Sequence, residues 1–131
     1  TVLPTSNDPA DVKAKVKAAI ASDPEIDTIV TLTASLAGEP AVEAIAEAGA
    51  EGKINLGSFD LSAGLLQAVA DGKAAFAIDQ QQYLQGYMPV VILALYDKYG
   101  LVPSADLPSG PNLITQEKAA QVVELSAQGI R

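Results

Sequence analysis

Short runs of apolar and β-branched residues alternate along this chain with longer segments in which apolar residues recur at helical spacing. Four such runs have the length and composition of strands, namely IDTIVTLT (26–33), INLGSF (54–59), AAFAID (74–79) and NLIT (112–115). The first is apolar enough to be covered on both faces of a sheet. Strands that alternate with helices form βαβ units, so the sequence predicts an α/β fold with an open parallel sheet flanked by helices.

Capping residues mark the ends of the predicted helices. Asp8 is a favourable N-cap before Pro9, and Val12, Val16 and Ile20 then repeat at helical spacing. The second helix is predicted at 39–49, the third at 61–72 with Ser62 as its cap, and the last after the cap Thr115.

Two other segments carry predictions about organisation. Residues 83–99 are predicted to form a very apolar helix that contains Pro89, followed by a loop at 101–111. Val2 and Leu3 resemble the end of a strand, so the chain is expected to be a piece of a longer protein.

Composition excludes several classes of function. The net charge of −8 disfavours nucleic acid and anionic membranes, which require a basic surface. The chain has no cysteine and no histidine, which excludes thiolate metal sites, thiol nucleophiles and histidine-based catalysis. Glu39, Glu43 and Glu47 have a spacing that could hold a metal, but a solvated helix face is the prediction.

Polar side chains follow the predicted strands at the edge where open parallel sheets bind ligands. Asp60 follows the strand 54–59, Gln80 follows 74–79, and Thr33 and Ser35 lie at the end of 26–33. A carboxylate, amides and hydroxyls suit neutral polyols, since they accept from and donate to hydroxyl groups. The alternative is structural: Asp60 would cap the third helix and Gln80 to Gln82 the next, and Asp79 is predicted to cap rather than bind.

These polar strand ends leave three classes of protein open. The first is a binding lobe for a small polar solute. The second is a phospho-accepting receiver domain, which needs a lysine at the last strand's end, whereas Lys118 falls inside a helix. The third is a structural domain with no site.

Three stretches of the chain then resemble a known family. They are DPADVKAKVKAAIASDPEIDTIVTL, INLGSFDLSAGLLQAVADGKAAFAIDQQQYLQGY and GPNLITQEKAAQVVELSAQGIR. Together they resemble the ribose-binding-like, type I periplasmic binding proteins that serve bacterial ABC importers for sugars. The resemblance implies a flavodoxin-like or Rossmann-like lobe in which Asp60 and Gln80 hydrogen-bond sugar hydroxyls. The family's third position, an Asn or Asp at the end of the strand that corresponds to 26–33, falls here in the region of Thr33 and Ser35.

The resemblance also implies a division of the chain. Residues 1–81 correspond to an incomplete carboxyl-side sugar-binding lobe, 82–108 to a segment that crosses to an amino-terminal lobe, and 109–131 to a return strand and terminal helix. The apolar 83–99 helix would pack on that amino-terminal lobe. In its absence the helix would fold back onto its own sheet or onto a second copy, giving a homodimer.

The function implied is capture of a small sugar or polyol between two lobes and delivery to the membrane permease of an ABC importer. The resemblance implies a periplasmic protein with a signal peptide upstream, without catalysis, cofactor or metal. Two alternatives stay open: the effector-sensing domain of a sugar-responsive transcription repressor, and a stand-alone flavodoxin-like domain with no ligand. The sequence does not name the sugar.

Overall fold

A computed structural model describes residues 1–131 and contains one four-stranded sheet with five α-helices. The strands are β1 (Thr28–Thr31), β2 (Asn55–Phe59), β3 (Phe76–Asp79) and β4 (Asn112–Ile114). The helices are α1 (Pro9–Ser22), α2 (Glu39–Glu47), α3 (Ala63–Ala70), α4 (Gln82–Tyr99) and α5 (Gln116–Ala127). A short π-helical segment, Ala34–Gly38, leads directly into α2 and was not predicted from the sequence.

The sheet has the order β1-β2-β3-β4 and is mostly parallel. β1, β2 and β3 run parallel, which confirms the predicted α/β class, whereas β4 runs antiparallel to β3. The fully parallel sheet was therefore wrong for its last strand. Asp79 at the end of β3 pairs with Asn112 at the start of β4. Because α4 and the loop after it leave and return at one edge of the sheet, β4 must run back along β3.

Two predictions about the first strands were wrong. Val2 and Leu3 form no strand, and Val2 is 89% exposed. The run 26–33 contributes only the four residues of β1, and Val30 and Leu32 on it are 60% and 79% exposed. β1 is the outermost strand of the sheet, so its side chains lack the cover that a central strand would have.

One apolar core joins the sheet to four of the helices. α1 packs beside α2 and α3 packs beside α5. The largest fully buried apolar side chains are Leu56, Leu65, Leu66 and Val69. The predicted caps of two helices are confirmed: Asp8 Oδ1 accepts the N–H of Ala10 at 2.9 Å, and Ser62 Oγ accepts the N–H of Leu65 at 3.2 Å.

The three glutamates of α2 lie on its surface but are paired rather than simply solvated. Lys13 of α1 binds both Glu43, at 2.8 Å, and Glu47, and Lys17 binds Glu47 at 2.6 Å. Glu39 accepts a hydrogen bond from Ser62 Oγ at 2.6 Å. These contacts tie α1 to α2 and the start of α3 to the start of α2.

α4 is the element least involved in the core. It has the predicted length, contains Pro89, and none of its 18 residues is buried. The expectation that it folds back onto its own sheet is therefore not met in this structure. No helix of the structure is both long enough and apolar enough to cross a lipid bilayer.

Candidate functional site

Asp60 and Gln80 meet at the edge of the sheet where β2 and β3 end. The N–H of Asp60 donates to the carbonyl of Ile78 at 2.9 Å, which extends the parallel ladder one residue past β2. Asp60 then turns the chain with a φ of 79°, in the left-handed region that a residue with a side chain rarely adopts. This turn places its carboxylate beside the first residues after β3.

The two oxygens of the Asp60 carboxylate have different surroundings. Oδ1 accepts the N–H of Leu61 at 3.0 Å, a long contact from Gln80 Nε2 at 3.5 Å, and a hydrogen bond from Gln82 Nε2. Oδ2 accepts no hydrogen bond from the chain. Asp60 does not cap α3, because Ser62 performs that role. The free oxygen is therefore available to a ligand.

The consecutive glutamines organise the exit from β3 without capping α4. Gln81 occupies the N-cap position with a φ of 54°, and its side chain makes no capping hydrogen bond. Instead its Nε2 donates to the carbonyl of Ser109 at 2.7 Å. Gln85 Nε2 donates to the Gln80 carbonyl at 3.0 Å and to Ser109 Oγ at 3.0 Å. These amides fasten the start of α4 to the loop that returns to β4.

Asp79 is buried beneath this turn and is fully engaged by the chain. Its Oδ1 accepts the N–H of Gln81 at 2.7 Å, which closes a local turn. Its Oδ2 accepts from Arg131 Nε at 3.0 Å and Arg131 Nη2 at 2.6 Å. The prediction that Asp79 caps the helix was wrong, because the N-cap position of α4 is Gln81. Sequence reasoning missed Arg131, since nothing in a local pattern links two residues so far apart along the chain.

Thr33 and Ser35 are exposed and make no hydrogen bond to Asp60 or Gln80. The Thr33 carbonyl accepts the N–H of Gly38 at 2.9 Å and so belongs to the π-helical segment. Ser35 lines an open groove of about 400 Å³ between α1 and α2, whose other lining residues include Lys13 and Glu43. The structure thus brings the acid and the amide into contact, whereas the hydroxyls of Thr33 and Ser35 make no hydrogen bond to either of them.

The arrangement can recognise a neutral, hydroxyl-rich solute. Asp60 Oδ2 is a charged acceptor, and the half-buried Gln80 amide offers both a donor and an acceptor. Asp60 and Gln80 line neither the groove between α1 and α2 nor a second one of about 300 Å³ between α2 and α3. A ligand bound at the pair would therefore lie outside both of these grooves.

An α/β lobe with a mostly parallel sheet defines the class of this protein, and comparison with known proteins gives its family. The chain belongs to the family described as the periplasmic binding protein domain, whose model matches residues 1–98. Over 45 residues the chain is 44% identical to the xylose/arabinose-binding protein of Sulfolobus acidocaldarius. That match covers 34% of this chain and 11% of the relative. The family resemblance read from the sequence is confirmed.

Solved structures agree with this assignment. The fold matches a carbohydrate transporter from Acidothermus cellulolyticus 11B in complex with myo-inositol, with a TM-score of 0.82 and 28% identity over 95% of this chain. It also matches the periplasmic binding protein component of the arabinose ABC transporter from Shewanella sp. ANA-3, with a TM-score of 0.74 and 22% identity over 93% of this chain; at that identity the likeness concerns the fold alone. The chain spans 43% and 41% of these two proteins.

Proposed function

We propose that this chain forms one lobe of a solute-binding protein that captures a small sugar and delivers it to the permease of an ABC importer. The observation that carries the proposal is the Asp60 carboxylate, with Oδ1 held by amides and Oδ2 left free at the sheet edge. Membership of the periplasmic binding protein family supports it. Myo-inositol, the solute in the solved structure that is 28% identical, is a neutral polyol of the kind that this chemistry suits.

Asp60 and Gln80 act together in this proposal. Asp60 Oδ2 accepts one or two sugar hydroxyls, and the Gln80 amide donates to one hydroxyl and accepts from its neighbour. The hydrogen bonds from Leu61 and Gln82 to Oδ1 fix the carboxylate before the sugar arrives, so little order is lost on binding. Thr33 and Ser35, on the segment that follows β1, add hydroxyl contacts when the site closes.

The opposite wall comes from a second lobe of a longer protein. Residues 1–81 then form the carboxyl-side lobe, 82–108 cross to the other lobe, and 109–131 return. The unburied apolar surface of α4 supports this division, because such a surface requires cover. The fraction of the relatives' length that the chain spans supports it as well.

The proposed protein works by binding alone. It needs no catalysis, metal or cofactor, because lobe closure and hydrogen bonds suffice to hold a sugar. The periplasm, reached by means of a signal peptide, is its proposed location, in keeping with the family.

Substitution of Asp60 tests the site. Asp60→Asn removes the charged acceptor while keeping the size of the side chain. Loss of hydrogen bonds to a charged group costs about 1.5–3 kcal/mol, so sugar affinity should fall roughly 10- to 100-fold. Titration calorimetry of the protein in its full natural length, against myo-inositol, L-arabinose, D-xylose and D-allose, measures this.

Asp71→Asn is the matched control, because Asp71 lies at the exposed end of α3 and its carboxylate accepts a hydrogen bond from Gln67 alone. It should leave sugar affinity unchanged. Equal affinity of the wild type and Asp60→Asn for the sugar that binds would contradict the proposed site. If no sugar binds the wild-type protein, the proposed function itself is wrong.

A further inference from the structure

Asp79 is a carboxylate with no exposed surface that lies next to the proposed sugar contacts. Its relative exposure is 0%, and it immediately precedes Gln80. Arg131 neutralises it through two guanidinium nitrogens at 3.0 and 2.6 Å from Oδ2. Such a two-nitrogen contact fixes direction as well as charge. Arg131 is itself placed by its main-chain N–H, which donates to the carbonyl of Leu125 in α5 at 3.3 Å.

The other oxygen of Asp79 holds the turn that carries the site. Oδ1 accepts the N–H of Gln81 at 2.7 Å. Gln81 has a φ of 54°, a conformation that L residues adopt only when their surroundings stabilise it. On either side of this residue, the side-chain amides of Gln80 and Gln82 both turn to Asp60 Oδ1. The turn at Gln81 thus decides where both amides point.

We propose that Arg131 is a positioning residue for the Asp60–Gln80 site and acts through Asp79. The inference rests on the proposed function, because the site it positions is the sugar site. Without Arg131, the buried carboxylate would lose its cation and would be drawn outward to water. This movement weakens its hold on the Gln81 N–H, so the left-handed turn relaxes and the amides lose their alignment on Asp60. Arg131 never touches the sugar.

Four variants in the protein of full natural length test the inference by calorimetry with myo-inositol, L-arabinose, D-xylose and D-allose. Arg131→Gln leaves Asp79 without a cation, and we expect affinity to fall roughly tenfold, the effect of one lost hydrogen bond to the sugar. Arg131→Lys keeps the charge but not the two-nitrogen geometry, and its sugar affinity should lie between that of the wild type and that of Arg131→Gln. Asp79→Asn in the Arg131→Gln background removes the unpaired charge and keeps the acceptor for Gln81, so affinity should return to within about threefold of the wild type. Asp79→Asn alone completes the double-mutant cycle between residues 79 and 131.

A measurement without sugar separates positioning from stability. The side-chain NH₂ resonances of Gln80 and Gln82 in a proton–nitrogen NMR spectrum report their contact with Asp60. Arg131→Gln should shift both resonances in the sugar-free protein, the double variant should restore them, and Asp71→Asn should leave them in place. Unfolding in urea, measured in parallel, gives the folded fraction to which each affinity is referred.

Two results would overturn the inference. In the first, Arg131→Gln lowers the urea midpoint yet leaves both resonances and the affinity of the folded protein as in the wild type; Arg131 would then be structural only. Alternatively, the double variant could fail to restore them although it folds. If no sugar of the panel binds the wild type, the proposed function fails, while the NMR shifts still decide whether Arg131 positions the amides. If Arg131→Gln does not fold, the comparison of Arg131→Lys with the double variant carries the same test.

Discussion

Gly57, in the middle of β2, shows how a single missing side chain shapes the sheet. It pairs with Phe76 of the neighbouring strand β3. A Cβ at residue 57 would lie 2.2 Å from Phe76 Cζ, so the ring occupies the space that any larger residue would need. The glycine is therefore required for the packing of Phe76 across two strands, rather than for backbone freedom.

Gly57→Ala should destabilise the protein by about 1–3 kcal/mol, because the added methyl group, at a buried position, forces the half-buried Phe76 ring to move. Urea unfolding measures this difference. Gly86→Ala is the matched control: residue 86 lies within α4, and no atom lies within 4 Å of the added Cβ. That substitution should be neutral or stabilise by up to about 1 kcal/mol, since alanine favours helix over glycine. Equal midpoints for the two variants would contradict this account of Gly57.

At the residue scale, the sequence was informative where partners are close along the chain. Asp8 and Ser62 cap helices through N–H groups two and three residues away, and both roles could be predicted. The approach of Asp60 to Gln80 could be predicted because adjacent parallel strands end at one edge. Arg131 could not be paired with Asp79, since that contact depends on how α5 and the segment after it settle against the sheet.

At the scale of elements, α1 and α2 are joined by a ladder of charges. Lys13 and Lys17 face Glu43 and Glu47. The hydrogen bond from Lys13, followed by that from Lys17, lowers the pKa of Glu47 from its ordinary 4.5 to about 2. The hydrogen bonds to Glu43 and Glu47 raise the pKa of Lys13 in turn. All four side chains are partly exposed, so solvent and salt moderate the ladder.

The lowered pKa of Glu47 predicts an acid-dependent loss of stability. In the folded protein the carboxyl ionises at a lower pH than in the unfolded chain, so its contribution is complete above about pH 4.5 and disappears as the pH falls towards 2. Urea midpoints measured across this window should fall less steeply for Glu47→Gln than for the wild type. Glu51→Gln, an exposed residue beyond the end of α2, is the control and should follow the wild type. Parallel curves for Glu47→Gln and wild type would show that the ladder does not stabilise the fold.

The elements themselves were largely predictable from periodicity, but the direction of β4 was not. Apolar spacing and caps gave all five helices and three parallel strands. Three residues of β4 carry no signal of direction, which is set instead by where α4 and the loop at 100–111 return to the sheet. The π-helical segment before α2 was missed because ASLAG has no distinctive periodicity.

At the scale of the whole molecule, α4 is the helix whose apolar surface is left uncovered. Large apolar and aromatic side chains project from this helix, among them Tyr83, Val90, Leu93 and Tyr96, each at least half exposed. Tyr83 and Tyr87 stack on each other, with ring centroids 5.9 Å apart, but this covers only part of each ring. A helix that is apolar on all sides is normally buried. The exposed apolar surface of α4 therefore supports the proposal that a second lobe packs on this helix.

Leu93→Asp tests which protein surface covers α4. Leu93 is 65% exposed, so in residues 1–131 alone the change should alter the free energy of unfolding by no more than about 0.5 kcal/mol. In the protein of full natural length, a second lobe packed on α4 would leave the new carboxylate buried and unpaired, and the loss should exceed about 3 kcal/mol. Asp97→Asn, at an exposed polar position on the same helix, should change the free energy of unfolding little in both lengths of chain. Urea unfolding of the two variants, each in both lengths of chain and compared with the wild type, measures the contrast. A small effect of Leu93→Asp in both lengths would mean that α4 stays in solvent and that the proposed two-lobed clamp closes without it.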